Sequence, residues 1–237
     1  MKKLWEQLGD HLSFVLVCVA VAAALVAAAK IAEHFLPERR KVSPAKRVAV
    51  IGICSAIATV LHMLDFPLLF LAPEFYKLDF SELPVMLCGF YLGPSATIVC
   101  EFLKILLKLL LKGTSTAFIG DFANFVVGCS LVLPAAIIYH IRKSKATALV
   151  GLSVGTLCLT VFGSLFNAVY LLPAFARFYG MPMEVIIGAG NAINGSITGI
   201  SSFVLLAVAP LNLIKGCAIS VLTLLLYKRV ARPLFGK

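Results

Sequence analysis

The amino-acid sequence is short of charge. Only 14% of its 237 residues are charged and 61% are hydrophobic, whereas a soluble domain of this length carries roughly twice that charged fraction. The mean hydropathy is +1.01, and several apolar stretches approach the ~20 residues with which a helix crosses a membrane. The composition excludes an ordinary soluble domain and predicts a polytopic α-helical membrane protein.

Motifs that carry catalysis are missing as well. The sequence contains no GxxxxGK[ST] phosphate-binding loop, no HExxH zinc motif and no GxSxG nucleophile motif, and its carboxylates do not cluster as metal ligands do. Its seven cysteines all lie in apolar runs and no two form a CxxC pair, so we interpret them as packing residues. We expect a protein that is not an enzyme and that holds no metal or cofactor.

Negative charge is the scarcer sign, with 11 acidic against 21 basic residues. The basic residues fall mainly in three short clusters, at 39–47, 140–145 and 228–237, and such clusters mark the cytoplasmic side of a membrane protein. No basic stripe alternates with aromatic residues, which argues against nucleic acid as a partner. The pattern predicts a multi-pass protein of the cell membrane.

Seven apolar stretches are long enough, or nearly so, to be membrane helices. We predict them at about residues 12–35, 48–63, 83–92, 95–111, 117–139, 147–172 and 210–227. Pro210 suits the first turn of a helix, which sets the start of the last one, and residues 173–209 receive no assignment. The acidic, proline-containing segment 64–84 is too broken to span, and alternation of the helices puts it on the external side.

Three polar side chains fall at a similar depth in this topology. Asn167 lies near the external end of its helix, and Asn212 and Lys215 lie at the external start of theirs, on one helix face. An ionised side chain at bilayer depth needs a partner or a cavity, and amide and ammonium groups suit the edge of a planar ligand. This trio is the predicted ligand site. The candidates for its apolar and aromatic wall are Phe75, Tyr76, Leu78, Phe80, Phe166 and Tyr170.

Other polar and small residues have structural interpretations. Lys104 and Lys108 share a face of the fourth predicted helix, where Glu101 can pair with Lys104, and such a stripe must face other helices or a cavity. Gly52 and Ala56 form a small-xxx-small pair of the kind that lets helices approach closely. The trio also has structural alternatives. Its asparagines could form hydrogen bonds between helices, and its lysine could extend its charged end to the membrane surface.

Four sequence blocks together resemble the riboflavin-specific substrate-binding subunits, or S components, of energy-coupling factor (ECF) vitamin transporters. The blocks are LDFSELP, FANF, FNAVYLLP and NLIKG, and the similarity runs in order over about residues 47–230. The resemblance implies an all-α membrane bundle of six helices with its site near the external face, capped by the loop between its first two helices. The helix at 12–35 would then be an additional N-terminal one.

The resemblance also implies roles for particular residues. In the family, the Asn of the FN-x-x-x-LLP block and the Asn and Lys of the N-x-I-K-G block bond the flavin ring, which carries over to Asn167, Asn212 and Lys215. Riboflavin would be the transported ligand, captured outside. A transmembrane coupling subunit and two ATPase subunits would be the partners, and Gly52 and Ala56 would dock on the coupling subunit.

These interpretations divide the chain and leave alternatives. Residues 1–46 would form the additional helix and a basic linker, 47–230 the substrate-binding membrane domain, and 231–237 a basic cytoplasmic tail. The same fold binding flavin mononucleotide, another vitamin or a queuosine precursor is the nearest alternative. An integral membrane enzyme acting on a prenyl or lipid substrate and a purely structural membrane subunit are the others.

Overall fold

The computed structural model describes residues 2–37, 42–114, 116 and 118–235, and within these ranges it leaves out the side chains of 2–15, 178 and 228–235. Arg39, Arg40 and Lys41 of the first basic cluster, and the side chains of the last cluster, lie outside the described residues. The described chain forms, in order, α1 (Lys2–Phe35), α2 (Pro44–Met63), β1 (Phe66–Pro67), β2 (Lys77–Leu78), α3 (Glu82–Leu92), α4 (Pro94–Lys112), α5 (Ile119–Arg142), α6 (Lys145–Phe166), α7 (Leu172–Tyr179), α8 (Met183–Asn191), α9 (Ile200–Phe203) and α10 (Ala209–Phe235).

Five helical segments among the described residues are long and apolar enough to cross a membrane. They are Leu16–Phe35, Pro44–Met63, Ile119–Arg142, Lys145–Arg177 and Ile200–Tyr227. The 19-residue α4 has a suitable length but carries four charged side chains, and the 11 residues of α3 reach only about 17 Å. The predicted all-α membrane fold with an additional N-terminal helix is confirmed.

The connection between α3 and α4 is as tight as its Gly93-Pro94 sequence predicts. Gly93 has a φ of 104°, a backbone conformation that side chains disfavour. Pro94 occupies the first position of α4, where a missing N–H costs no hydrogen bond. The chain therefore reverses within one residue, and α3 and α4 pack against each other.

The last membrane helix begins at Ile200 and not at Pro210, so that prediction is wrong. Proline lacks an N–H and crowds the carbonyl of the preceding turn, which is why it indicates a helix start. Here a π-helical turn at Val204–Val208 comes directly before it, and the Ala209 N–H bonds to the Val204 carbonyl, five residues back. The wider turn accommodates the proline, and α9 and α10 form one continuous rod.

A second π-helical turn lengthens the preceding membrane helix. The sequence predicts an end near Leu172, but the turn Asn167–Leu171 precedes Pro173 and the helix continues through α7. Asn167 therefore lies twelve residues before the end of its rod, and Asn212 lies twelve residues after the start of its own, about 18 Å in each case. Because both rods extend beyond their predicted ends on the same side of the bundle, these residues still meet at one level.

The additional helix α1 packs on α4 and α5. Ala29 is fully buried, and with Leu25 it contacts a cluster that includes Phe125. Near the end of α1, the Glu33 carboxylate accepts a 2.8 Å hydrogen bond from the Ser95 N–H in the first turn of α4, where negative charge is favourable. The end of α1 therefore meets the beginning of α4, and the two helices run antiparallel.

The outer face of α2 stays open. α2 packs on α3 and α4 with Ile51 and Ser55 buried, whereas Gly52 and Ala56 are exposed. Among the described residues, no atom outside the helix's own neighbourhood lies within 4 Å of where a Gly52 side chain would begin. The additional helix thus leaves the predicted docking face uncovered.

The segment between α7 and α9 braces residues 64–81, which connect α2 to α3 and which we call the cap loop. Ala72 of the cap loop is fully buried in a cluster with Ile197 and Phe203, and the Tyr76 ring lies 5.9 Å from the Phe203 ring. α8 approaches this closely because Gly190 has no side chain, since a β-carbon there would lie 2.5 Å from a Phe203 ring carbon. The segment that the sequence leaves unassigned is therefore the support of the cap loop.

Replacing Gly190 by alanine should destabilise the protein through this contact. The added carbon collides with the Phe203 ring, and overpacking of this kind costs roughly 1–3 kcal/mol. Gly188→Ala is the matched control in the same helix, because no neighbouring atom of the described residues lies within 4 Å of where its β-carbon would be. This variant should be neutral or stabilising by up to about 1 kcal/mol. Thermal unfolding in one detergent compares them, and equal midpoints would contradict the bracing role.

Candidate ligand-binding site

A cavity of about 660 Å³ lies between the cap loop, α4, α5, the α6–α7 rod and α10. Its volume falls within the range of small-molecule sites, about 300–1,000 Å³. Asn167, Asn212 and Lys215 all line it. The structure therefore brings together the three residues that the sequence selects.

The Asn167 amide is engaged on both sides. Its Nδ2 donates to the Gly163 carbonyl at 2.8 Å, and its Oδ1 accepts a 2.7 Å hydrogen bond from the Tyr76 hydroxyl. The first bond stays within the α6–α7 rod and fixes the orientation of the amide. The second joins the cap loop to that rod, so Tyr76 holds the carbonyl position that a ligand donor would otherwise take.

Asn212 presents a donor that no described residue accepts. It is only 8% exposed, and its Nδ2 has no hydrogen-bond partner among the described residues. A buried polar group left in this way costs about 1–3 kcal/mol. An acceptor on a ligand in the cavity would recover that free energy.

Lys215 is held by two carboxylates at the junction of the cap loop and α3. Its Nζ donates to Asp79 at 3.1 Å and to Glu82 at 3.0 Å. An ammonium group has three donors, so one remains for a ligand acceptor. The same contacts fasten α10 to the cap loop, and they supply the counter-charge that an intramembrane lysine requires.

These carboxylates continue inward as a buried ion cluster of Asp79, Glu82, Glu101, Lys104 and Lys215. The fully buried Lys104 has its Nζ 2.5 Å from Glu101 and 3.3 Å from Glu82. The predicted pairing of Glu101 with Lys104 is confirmed, and Lys104 lies behind the cavity wall instead of in it. Charges removed from water persist only when they are paired in this way.

The electrostatics of Asp79 follow from this cluster. Burial alone raises the pKa of Asp79, but the Lys215 ammonium and His62, whose Nδ1 lies 3.4 Å from the carboxylate, hold that pKa well below its usual value. Asp79 therefore stays ionised and keeps Lys215 in place.

A second ion pair lies on the cavity wall at the α4–α5 junction. Lys108 Nζ donates to Asp121 Oδ1 at 2.5 Å, and the Thr114 hydroxyl donates to Asp121 Oδ2 at 2.7 Å. All three residues line the cavity. Of the predicted lysine stripe, Lys108 thus faces the cavity.

Some of the predicted wall residues are placed differently from the trio. Leu78 is buried in β2, and the Phe80 ring packs 6.0 Å from Phe66. Tyr170 points toward the side that α1 covers, with its ring 6.4 Å from that of Phe122. None of Leu78, Phe80 and Tyr170 is among the described residues that line the cavity.

Phe75 and Tyr76, which the sequence also offers as wall candidates, contribute the aromatic surface of the cavity. Asp79, Asp121 and Asn124 contribute polar groups, and the sequence does not select them as site residues. The carboxylates carry a usable signal, because a lysine inside an apolar run calls for a counter-ion. The acidic residues of LDFSELP at the same external level are the available candidates.

Comparison with known proteins agrees with this architecture. Residues 46–227 match the family model for the ECF transporter, substrate-specific component. That range contains every described residue that lines the cavity, and α1 lies entirely before it.

Two riboflavin transporters and one solved structure are similar to this chain. The chain is 37% identical over 186 residues to the riboflavin transporter RibU of Staphylococcus aureus (strain TCH60), covering 78% of this chain and 90% of that protein. It is 32% identical over 183 residues to the riboflavin transporter FmnP of Bacillus subtilis (strain 168), covering 77% and 90%. A solved S component of a bacterial ECF transporter superposes with a TM-score of 0.63 at 35% identity, over 81% of this chain and 99% of that one.

Removing the cation at the centre of the ion cluster should destabilise the protein strongly. Lys104→Met leaves the buried Glu101 and Glu82 carboxylates short of positive charge, which costs about 3–5 kcal/mol. Lys112→Met removes the same charge from an exposed position of the same helix and should change stability by less than about 0.5 kcal/mol. Unfolding in detergent measures both, and a Lys104 variant as stable as the Lys112 variant would show that the cluster contributes little.

Proposed function

This chain belongs to the family of ECF transporter substrate-specific components, and we propose that it captures riboflavin for ATP-driven uptake by partner subunits. The observation that carries the proposal is the unpartnered, buried Asn212 amide beside Lys215 in the cavity. The names of the similar proteins RibU and FmnP support the choice of ligand.

The polar groups of the cavity suit the edge of a flavin ring. Asn212 offers a donor and Lys215 a further one, and both meet carbonyl or ring-nitrogen acceptors. Asn167 becomes available to the ring when the Tyr76 hydroxyl gives up its bond. The flat apolar part of the ring packs against Tyr76 and Phe75, and burial of this surface supplies most of the affinity.

The proposed transport complex comprises a transmembrane coupling subunit and two ATPase subunits. Gly52 and Ala56 on the open face of α2 form the proposed docking surface, because small residues let a partner helix approach closely. The chain itself acts as the binding subunit in the cell membrane, not as an enzyme. Its basic segment at 140–145 marks the cytoplasmic side, and the cavity opens on the external side.

Asn212→Leu separates binding from stability. The substitution removes a donor that is unpaired without ligand, so the stability of the ligand-free protein should be unchanged or higher. Riboflavin should bind about tenfold more weakly, as the loss of one buried hydrogen bond predicts. Quenching of riboflavin fluorescence on titration with purified protein gives the dissociation constant.

Two further variants complete the experiment. Asn194→Leu makes the same change at an exposed position outside the cavity and should bind riboflavin as the wild type does. Lys215→Ala should also weaken binding markedly, although it frees two buried carboxylates and lowers stability too. If Asn212→Leu binds as tightly as the control, Asn212 does not contact the ligand, and a wild type that leaves riboflavin fluorescent refutes the function.

A further inference from the structure

Among the described lining residues, three of the four lysines are paired with neighbouring carboxylates: Lys77, Lys108 and Lys215. Lys215 is bound by Asp79 and Glu82, and Lys108 is bound by Asp121. Lys112 also lines the cavity, but it is exposed at the mouth, where solvent and salt screen its charge. As far as the described residues go, the interior of the cavity therefore presents only paired cations to an anionic ligand.

The pair of Lys108 and Asp121 differs from an ordinary surface ion pair. The side chains are 13% and 4% exposed, whereas those of Lys77 and Asp65, at the rim, are 43% and 25% exposed. Coulomb interactions are weakly screened at the first site and strongly screened at the second. A charge brought into the cavity would therefore interact with Asp121 much more than with Asp65.

Asp121 is fixed in position by the α4–α5 loop. Its Oδ2 accepts the Thr114 hydroxyl, and the Thr114 Oγ1 accepts the Phe118 N–H at 2.9 Å. The carboxylate cannot rotate away from Lys108 without breaking both its ion pair and this loop contact. Lys108 is correspondingly unable to leave Asp121 for another anion without stranding a buried carboxylate, which is costly.

We propose that Asp121 is a specificity-determining residue, which admits a flavin with a neutral polyol chain and rejects its phosphate ester. This inference rests on the proposed function, with the ring held at Asn167, Asn212 and Lys215 and the chain directed toward α4 and α5. A hydroxyl there can donate to Asp121 and accept from Lys108. A phosphate meets the fixed negative charge of Asp121, and like charges at such an interface select against the wrong ligand.

The test compares riboflavin with riboflavin 5′-phosphate by fluorescence quenching in the intact chain. The wild type should bind riboflavin more tightly than the phosphate. Asp121→Asn keeps the size and an oxygen acceptor for Thr114 but releases the charge of Lys108, so the ratio of the two dissociation constants should shift toward the phosphate by about tenfold or more. Added salt should reduce that shift.

Glu74→Gln provides the matched control. It raises the net charge by the same amount on the exposed surface of the cap loop, outside the cavity lining, and should leave the ratio within about twofold. An equal shift in both variants would assign the effect to the overall charge of the protein and overturn the proposal. An unchanged ratio in Asp121→Asn would do the same.

A second variant tests the same proposal independently, in case Asp121→Asn fails to fold. Lys108→Gln leaves the Asp121 charge in place without its partner, so it should shift the ratio in the opposite direction, further against the phosphate. A shift toward the phosphate would contradict the proposed role of Asp121. Failure of the wild type to bind either flavin refutes the proposed function itself, whereas equal wild-type affinity for the two flavins refutes only this inference.

Discussion

The Lys215 ammonium, held by Asp79 and Glu82, is the interaction on which the site depends. A charged group at membrane depth has to be paired, and its partners come from the junction of the cap loop and α3, more than 130 residues earlier in the chain. The pairing pulls α10, the cap loop and the start of α3 together, and Lys104 extends it into the bundle. The cavity is the space that remains beside this cluster.

How far the sequence predicts the structure depends on the kind of signal. Uninterrupted apolar runs predict α2 and α5 well, and a lysine in an apolar run correctly marks Lys215 as part of a cavity. Pro210 misleads because the π-helical turn before it removes the steric conflict, and such turns have no clear sequence signature. The unpartnered state of Asn212 arises from packing between distant helices, which no local pattern records.

The site and the proposed docking face use different parts of the bundle. The cavity lies between the cap loop and helices α4, α5, α6–α7 and α10, while Gly52 and Ala56 point outward from α2. α1 packs on α4 and α5, and its described side chains cover neither the cavity nor the docking face. An additional N-terminal helix is therefore compatible with both ligand capture and assembly. The cap loop is supported separately, by the segment around α8.

The central claim is that the cavity binds one riboflavin, and the visible absorption spectrum of the protein tests it most directly. The protein is purified in detergent from cells that contain flavins. The account predicts flavin absorption bands at close to one ligand per chain, with the flavin fluorescence quenched by the surrounding aromatic side chains. A colourless protein that also fails to quench added riboflavin would contradict it.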